Sequence, residues 1–345
     1  MLNTSTNNDY SGMSKLERCA LVERIFIEHP RLTKLLGQIR HCQEYSRIAA
    51  EPECMFIGGY AGTGKTTLQE YYASRYPRTL DEEGSSIIPV LCGRVPEKAS
   101  NKTLVTELLH KLGDPVAEKG SAYNQTTRFR HLMKECRTEL TFLDEFQHFV
   151  DKDSQKVLKN LSDWLKNLID ETNRPIIMCG MPYADIILDA PGNEQLQRRF
   201  SVRASLDPFG WQTKAEKDEF QAFLQSVDRR LPFHSPRSFR LAEKTVAFRF
   251  YCATNGRVGK VMKVIRRAAE LVINNQMEGL GLEVLAEAYD ERLRHDQPDR
   301  GNPFCSDLND LKIIPFKEYL PNINFNGRGS SPGAEDKKAN EVLRK

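Results

Sequence analysis

The chain has 345 residues, of which 39% are hydrophobic and 28% are charged, as in ordinary globular proteins. A formal net charge of +3 is too small for the chain as a whole to attract a polyanion such as nucleic acid. Any nucleic-acid site must therefore be a local basic patch. The length suffices for one large α/β domain with appendages or for two domains.

Eight cysteines are scattered through the chain without a CxxC pair, and several lie in apolar runs. We interpret them as reduced, mostly buried side chains rather than a zinc site. The polar start, MLNTSTNNDYSG, lacks the charged-then-apolar order of a signal peptide, and no apolar run approaches the ~20 residues of a membrane span. These features predict a soluble cytoplasmic protein.

The first 50 residues separate into two parts. Residues 1–14 are polar and predict a disordered N-terminus. Residues 15–50 predict N-terminal helices, because leucine and isoleucine recur at helical spacing in RLTKLLGQI. A break is expected near Pro30.

Five short apolar runs lie between residues 51 and 210, and amphipathic helical stretches separate them. Strands that alternate with helices in this way predict a parallel five-stranded sheet with flanking helices, which is an α/β domain. The runs are CMFIGG at 54–59, IIPVLCG at 87–93, LTFLDE at 140–145, PIIMCG at 175–180 and VRASLDPF at 202–209.

Strand-like runs stop after Trp211, and helical periodicity takes over. Residues 211–294 predict a C-terminal helical lid domain, with helices at 213–231, 238–254, 257–277 and 281–294. Residues 295–345 predict an extended tail because the pattern fades into polar, proline-containing sequence. Within it, IIPFKEYL at 313–320 is an apolar island that can serve as a docking segment.

The stretch from Gly59 to Thr66 matches G-x-x-x-x-G-K-[ST], and it follows an apolar strand and precedes a helical stretch. Glycines let backbone N–H groups turn toward phosphate oxygens, and a helix N-terminus adds positive potential. Lys65 supplies a full charge for the β- and γ-phosphates of ATP, and the Thr66 hydroxyl is a ligand for Mg²⁺. The predicted ATP-binding residues are Gly59, Tyr60, Ala61, Gly62, Thr63, Gly64, Lys65, Thr66 and Thr67.

LTFLDE ends in two acids at the expected end of a strand. Asp144 is the predicted second Mg²⁺ ligand, acting with Thr66, and it also belongs to the ATP site. Glu145 can polarise the attacking water as a general base. Adjacent carboxylates favour hydrolysis of ATP over phosphoryl transfer to a metabolite.

Together, these elements resemble an AAA+ P-loop NTPase over about residues 20–290. Three stretches narrow the resemblance: ERIFIEHPRLTKLL before the phosphate loop, LDEFQHF at the acids and IIMCGMPYADIIL at the fourth strand. They are similar to the TniB/TnsC family, the ATP-dependent target-selection regulators of transposons, including some CRISPR-associated ones. The resemblance implies that residues 51–210 form the AAA+ nucleotide-binding domain and residues 211–294 its lid.

The resemblance implies further nucleotide contacts. A neighbouring subunit supplies an arginine in trans, for which Arg199 is the first choice and Arg198 the second. Cys179 occupies the position at the end of the fourth strand where an asparagine or threonine is usual, which implies slow, switch-like hydrolysis. Arg257 or Lys260 in TNGRVGKVMKVI is expected to reach the phosphates from the lid, and the sequence leaves this choice open.

The resemblance also implies DNA contacts, since related initiator-type AAA+ proteins form spirals around duplex DNA. The basic and hydroxyl side chains after the second strand are the candidates, and they would contact the DNA backbone without reading its sequence. The candidates are Lys98, Lys102 and Thr103 at a predicted helix start, and Thr127, Arg128 and Arg130 further on.

The favoured hypothesis is an ATP-dependent regulator that oligomerises on duplex target DNA, as a ring or helical filament. It would recruit a transposase and a TniQ-like target-selection protein, with ATP hydrolysis driving disassembly. One alternative is an AAA+ replication initiator or helicase loader. A second, of another class, is a P-loop kinase acting on a small molecule, and a third is a nucleotide-gated scaffold that does not hydrolyse ATP.

Overall fold

The computed structural model describes residue 10 and residues 12–151, 155–233, 239–296 and 301–315. Most of the predicted disordered N-terminus, and the tail beyond residue 315, lie outside the described residues. No helix in the described part of the chain is long and apolar enough to cross a membrane.

Five parallel strands form the central sheet, in the order β4-β5-β6-β1-β7, which confirms the predicted sheet. A separate antiparallel hairpin of β2 and β3 precedes β4, so the run at 87–93 is two elements, with Pro89 between them. Proline lacks the N–H that a continuous strand would need there. The strands are β1 Met55–Gly58, β2 Thr79–Leu80, β3 Ser86–Ile87, β4 Val90–Arg94, β5 Leu140–Asp144, β6 Ile176–Gly180 and β7 Val202–Ser205.

Helices cover both faces of the sheet and form the lid after it. Pro30 is the first residue of α2, and α1 ends at Glu23, so the predicted break near Pro30 is confirmed. The helices are α1 Lys15–Glu23, α2 Pro30–Tyr45, α3 Lys65–Ser74, α4 Asn101–Leu112, α5 Ala122–Glu135, α6 Gln147–Val150, α7 Gln155–Thr172, α8 Ile186–Asp189, α9 Glu194–Arg199, α10 Lys214–Asp228, α11 Lys244–Thr254, α12 Val258–Asn274 and α13 Leu282–Arg292.

Alternation along β1 shows how the sheet is buried on both sides. Met55 and Ile57 pack with α2 and α3 on one face, whereas Phe56 packs with α4, α5 and α7 on the other. Successive side chains of a strand point to opposite faces, so a strand covered twice must be apolar throughout. The four residues of β1 are all buried for this reason.

The lid, formed by α10–α13, has its own hydrophobic core, which we call the lid core. Val22 at the end of α1 and Ile25 and Ile27 beyond it belong to this core, although α2 packs against the sheet. Phe304 joins the lid core from the predicted tail, and buried Arg249 donates hydrogen bonds to the carbonyls of Pro303 and Ser306. The lid core therefore includes residues from before α2 and from after α13, and the domain boundaries stay predictions.

The lid meets the sheet at a turn between α11 and α12. Asn255 and Gly256 have φ angles of 49° and 69°, which lie in the left-handed region that favours glycine. Gly256 is the more crowded of the two positions. Phe209, just after β7, donates its N–H to the Gly256 carbonyl at 3.0 Å. A Cβ on Gly256 would lie 2.2 Å from the Phe209 carbonyl oxygen, so the turn fits against β7 only with glycine there.

We predict that Gly256→Ala lowers the free energy of unfolding by roughly 2 kcal/mol or more, through backbone strain and the clash with Phe209. Urea unfolding followed by circular dichroism measures the change. Gly37→Ala is the matched control: Gly37 lies exposed in α2 with no atom near its added Cβ, so this change should raise stability by about 0.5–1 kcal/mol. Equal unfolding midpoints for Gly256→Ala and the wild type would contradict the close packing.

His29 lies at the same junction, at the start of α2. It is 5% exposed, it packs against the rings of Phe209 and Phe223, and neither ring nitrogen has a hydrogen-bond partner among the described residues. Burial lowers the pKa of His29 to about 4, against a smaller opposing effect of Glu219; Arg31 acts in the same direction as burial. The folded chain therefore holds this imidazole neutral, while the unfolded chain protonates it near pH 6.5.

We predict that His29 makes the folded chain less stable as the pH falls, because the unfolded state then binds the extra proton. The loss attributable to this residue is about 3 kcal/mol between pH 8 and pH 4, and His29→Phe should abolish it. Urea unfolding of both proteins across this range measures the difference. His41→Phe, a change at an exposed histidine of α2, is the control, and an identical pH profile for His29→Phe and the wild type would refute the prediction.

Candidate nucleotide site

The loop from Gly59 to Thr66, the phosphate loop, connects β1 to α3. Gly62 and Gly64 have φ angles of 78° and 103°, and α3 begins at Lys65 directly after Gly64. A Cβ on Gly59 would lie 2.8 Å from Thr63 Oγ1 and 2.9 Å from the Leu206 carbonyl oxygen, so glycine alone fits. The tight loop and the start of α3 form the backbone arrangement that binds phosphate groups.

Lys65 extends over the phosphate loop. Its Nζ donates to the carbonyl oxygens of Gly59 and Tyr60, the second at 3.1 Å. Burial lowers the pKa of Lys65, while Asp144, Cys179 and Glu145 act in the opposite direction. Because the partners of this half-buried ammonium are neutral carbonyls, an anionic phosphate is a stronger partner for the same group.

Thr66 and Asp144 come together as the sequence predicts. Thr66 Oγ1 donates to Asp144 Oδ2 at 2.7 Å, and Asp144 is 4% exposed at the end of β5. A hydroxyl and a carboxylate are hard oxygen donors, which suits Mg²⁺. No group of three or more His, Cys, Asp or Glu side chains among the described residues could hold a metal ion.

Glu145 follows β5 in a left-handed conformation, with φ of 58°, and its N–H donates to Asp144 Oδ1 at 2.9 Å. Its carboxylate has two partners: Gln147 donates to Oε2 through Nε2, and Arg94 at the end of β4 lies 3.6 Å from Oε1. Sequence reasoning assigned no role to Gln147 or Arg94. Gln147 is in the quoted LDEFQHF, but Arg94 contacts Glu145 only through the pairing of β4 with β5.

Cys179 lies within β6, fully buried on the sheet face that packs against α2 and α3. Burial raises the pKa of its thiol, and nearby Asp144 adds to this effect while Lys65 opposes it. The sequence predicts Cys179 at the end of the fourth strand as part of the ATP site. In the structure Gly180 is the last residue of β6, and the group at 179 is a neutral thiol inside the sheet. Thr67 is exposed on the first turn of α3.

The lid touches the phosphate loop through the start of α12. The Gly259 N–H donates to the Gly62 carbonyl oxygen at 2.8 Å. Arg257 Nη1 lies 3.4 Å from the Ala61 carbonyl oxygen, and its guanidinium stacks 5.7 Å from the Tyr60 ring centroid. Lys260 instead pairs with Asp296 at 3.2 Å. The structure thus brings Arg257, rather than Lys260, against the loop.

The two candidate trans arginines differ in exposure. Arg199 is 8% exposed and pairs with Asp170 on α7, while its Nη1 donates to the Gln195 carbonyl oxygen at 3.0 Å. The Arg198 side chain is 66% exposed and pairs with Glu51 at 2.7 Å. A side chain that reaches a neighbouring subunit must lie at the surface, so the geometry favours Arg198 over the first choice, Arg199.

The candidate DNA residues divide in a similar way. Lys98 is exposed in the turn before α4, Lys102 is exposed in the first turn of α4, and Thr127 is exposed on α5. Thr103 is part of the α4 cap: its Oγ1 accepts from the Ser100 N–H at 2.9 Å. Both arginines form ion pairs within the chain: Arg128 with buried Asp114 at 2.6 Å, and Arg130 with Glu171. The sequence prediction missed these pairs because it cannot show tertiary partners.

We predict that Arg257→Gln weakens binding of a slowly hydrolysed ATP analogue about 10-fold, because a charged donor at the phosphate loop is lost. Lys260→Gln removes the same charge one helical turn away and should change the Kd less than 2-fold, since Lys260 pairs with Asp296. Fluorescence titration with a labelled analogue measures both. A larger loss for Lys260→Gln would reverse the assignment.

Comparisons with known proteins concern the family and the fold of the chain. A family model described as Bacterial TniB protein matches residues 19–210. No curated protein matches the chain. Among solved structures, the Aeropyrum pernix ORC2 protein in ADPNP-ADP complexes is 16% identical with a TM-score of 0.56, covering 81% of this chain and 74% of that chain.

Two further structures show the same similarity. Cdc6p from Pyrobaculum aerophilum is 14% identical with a TM-score of 0.57, covering 79% of this chain and 71% of that chain. The Aeropyrum pernix ORC1 protein in complex with DNA is 15% identical with a TM-score of 0.56, covering 79% of this chain and 69% of that chain. At these identities the likeness concerns the fold, which is that of an AAA+ P-loop NTPase. Since the family match spans more than half of the chain, including the phosphate loop and both acids, the chain belongs to the TniB family.

Proposed function

We propose that this protein is an ATP-hydrolysing regulator of transposition that assembles on duplex DNA. The observation that carries the proposal is the site in which Thr66, Asp144 and Glu145 meet the phosphate loop while Arg257 of the lid touches the same loop. A nucleotide bound there would contact the sheet and the lid at once, so its presence can set the angle between them. Such coupling suits a protein in which nucleotide binding controls whether subunits assemble.

Hydrolysis is favoured over transfer to a small molecule. Mg²⁺ bound at Thr66 and Asp144 would neutralise charge on the phosphates. Lys65 would hold the β- and γ-phosphates, and Glu145 would accept a proton from the attacking water at its carboxylate. A small-molecule kinase needs an acceptor pocket beside the phosphates; here the lid closes on the phosphate loop through Gly259 and Arg257.

Assembly through a trans arginine is supported by α9. Arg198 presents its guanidinium at the surface, and with Glu194, Gln195 and Arg199 it lines an open cavity of about 470 Å³. Its present partner, Glu51, is itself half exposed, and an exposed ion pair contributes little stability. Exchanging Glu51 for a neighbouring subunit's γ-phosphate would therefore cost the chain little, and each subunit would complete the site of the next.

DNA binding is supported by the fold and by the exposed residues of α4 and α5. The similar Aeropyrum pernix ORC1 protein was solved with DNA. Lys98, Lys102 and Thr127 present a modest set of phosphate contacts, in keeping with a net charge of +3. Weak binding by each subunit becomes useful when many subunits assemble along one duplex.

Transposition itself is supported by membership of the TniB family. In this proposal the oligomer on DNA recruits a transposase and a TniQ-like target-selection protein, and ATP hydrolysis dismantles it. The alternative on the same fold is a replication initiator or helicase loader, and the similarity to the ORC2 and Cdc6p structures concerns that fold. The match of residues 19–210 to TniB favours the transposition role.

The proposal predicts ordered oligomers that require both DNA and nucleotide. Negative-stain electron microscopy of the protein with mixed-sequence duplex DNA and a slowly hydrolysed ATP analogue should show rings or filaments. Lys65→Ala should abolish them through loss of nucleotide, and Arg198→Ala through loss of the trans contact. Phosphate release with ATP should fall at least about 10-fold in both variants.

Arg137→Ala is the matched control, because Arg137 is also an exposed arginine paired with one acid, Asp81, and it should assemble normally. Arg199→Ala tests the alternative arginine: if it blocks assembly while remaining folded and Arg198→Ala does not, the trans role belongs to Arg199. Monomers under every condition would refute the assembly proposal. Normal assembly with no response of phosphate release to a purified transposase would refute the role in transposition.

A further inference from the structure

The end of β6 offers no polar side chain to the hydrolytic site. The Cys179 thiol is inside the sheet, and Gly180 has no side chain. The next N–H, that of Met181, still needs a hydrogen-bond acceptor, and it donates to Gln147 Oε1 at 3.2 Å. A residue of α6 therefore supplies the polar atom that β6 lacks.

Gln147 reaches this position because Gly180 leaves room. A Cβ on Gly180 would lie 3.2 Å from Gln147 Oε1 and 3.3 Å from the Gln147 backbone nitrogen. Gln147 is 9% exposed, so its amide is fixed in the interior rather than moving in solvent. Its Nε2 is turned toward Glu145 and donates to Oε2 of that carboxylate.

A continuous series of hydrogen bonds results. Gly59 at the start of the phosphate loop donates its N–H to the Gly180 carbonyl oxygen at 3.0 Å. Met181 follows Gly180 and is bound to Gln147, which is bound to Glu145. These contacts connect the start of the phosphate loop, through the end of β6, to the Glu145 carboxylate. Arg94 holds the other carboxylate oxygen from the exposed side, with 71% of its side chain exposed.

We propose that Gln147 is the positioning residue of the hydrolytic site: its side-chain amide fixes the Glu145 carboxylate relative to the end of β6, in place of a polar side chain on that strand. This inference rests on the proposed hydrolysis of ATP by this chain. Gln147 acts through Glu145 and does not itself contact the reacting atoms. The amide has the required chemistry, since one end accepts from the strand and the other donates to the base.

Gln147→Glu tests the role with little change of size. It keeps an acceptor for Met181 but places a second carboxylate where Glu145 needs a donor. Because a general base misplaced by about 1 Å can cost up to 10²-fold, we expect kcat for ATP hydrolysis to fall at least about 10-fold. The KM for ATP and the Kd of an ATP analogue should stay within about 2-fold, as Gln147 makes no contact with the phosphate loop.

His148→Ala is the matched control, because His148 is the next residue of α6 and its ring Nδ1 bonds to the Val95 carbonyl oxygen at 2.9 Å rather than to the Glu145 carboxylate. The backbone N–H of His148, which donates to the Glu145 carbonyl oxygen at 3.1 Å, is kept in this variant. It loosens the same helix and should keep kcat within about 2-fold of the wild type. In a Glu145→Ala background, Gln147→Glu should lower the residual rate by less than about 2-fold further, because the residue it positions is already gone.

Gln147→Leu, which removes both hydrogen bonds, should likewise lower kcat and leave analogue binding unchanged. Equal losses in Gln147→Glu and His148→Ala, or a full additional loss in the Glu145→Ala background, would overturn the positioning role alone. No hydrolysis by the wild-type protein with duplex DNA, despite tight analogue binding, would refute the proposed ATPase function and this inference with it. Loss of analogue binding in the Gln147 variants, with normal wild-type hydrolysis, would show a binding role instead.

Discussion

The hydrogen bond between Thr66 and Asp144 is the contact on which the arrangement of the site depends. It joins the first turn of α3 to the end of β5, although 78 residues separate the two in sequence. The sheet order places β6 between β5 and β1, so all three strands end at one edge. Buried Asp144 tolerates its position because Thr66 and the Glu145 N–H both donate to it. Thr66 and Asp144 are also the two residues that would hold Mg²⁺.

The lid is the second feature that shapes the site, because it contacts the phosphate loop while its core includes residues from before α2 and from after α13. Val22 and Ile25 enter the lid core before α2, and Phe304 enters it after α13. Buried His29 and the turn at Gly256 lie where this unit meets the sheet. The lid core thus includes segments on both sides of the α/β domain, and Gly259 and Arg257 connect the same unit to the phosphate loop.

Charged residues show the limit of reading function from composition. Arg128, Arg199 and Arg249 are each used internally, by Asp114, Asp170 and backbone carbonyls respectively. Arg198, Lys98 and Lys102 are at the surface and remain available to partners. Arginine suits both uses, since its planar donors satisfy several acceptors at once. The sequence shows the charge of each residue, whereas its partner depends on elements far away along the chain.

The sequence by itself determined the five-stranded parallel sheet, the phosphate loop and the pair Asp144–Glu145, because apolar runs and motif spacing depend on neighbours a few residues apart. It also predicted the family, through LDEFQHF and the stretches around it. Only the tertiary structure decided that Arg257 rather than Lys260 faces the loop, that Arg199 is buried, and that Gln147 and Arg94 hold Glu145. These outcomes depend on which strands and helices become neighbours after folding. Local periodicity in the sequence does not contain that information.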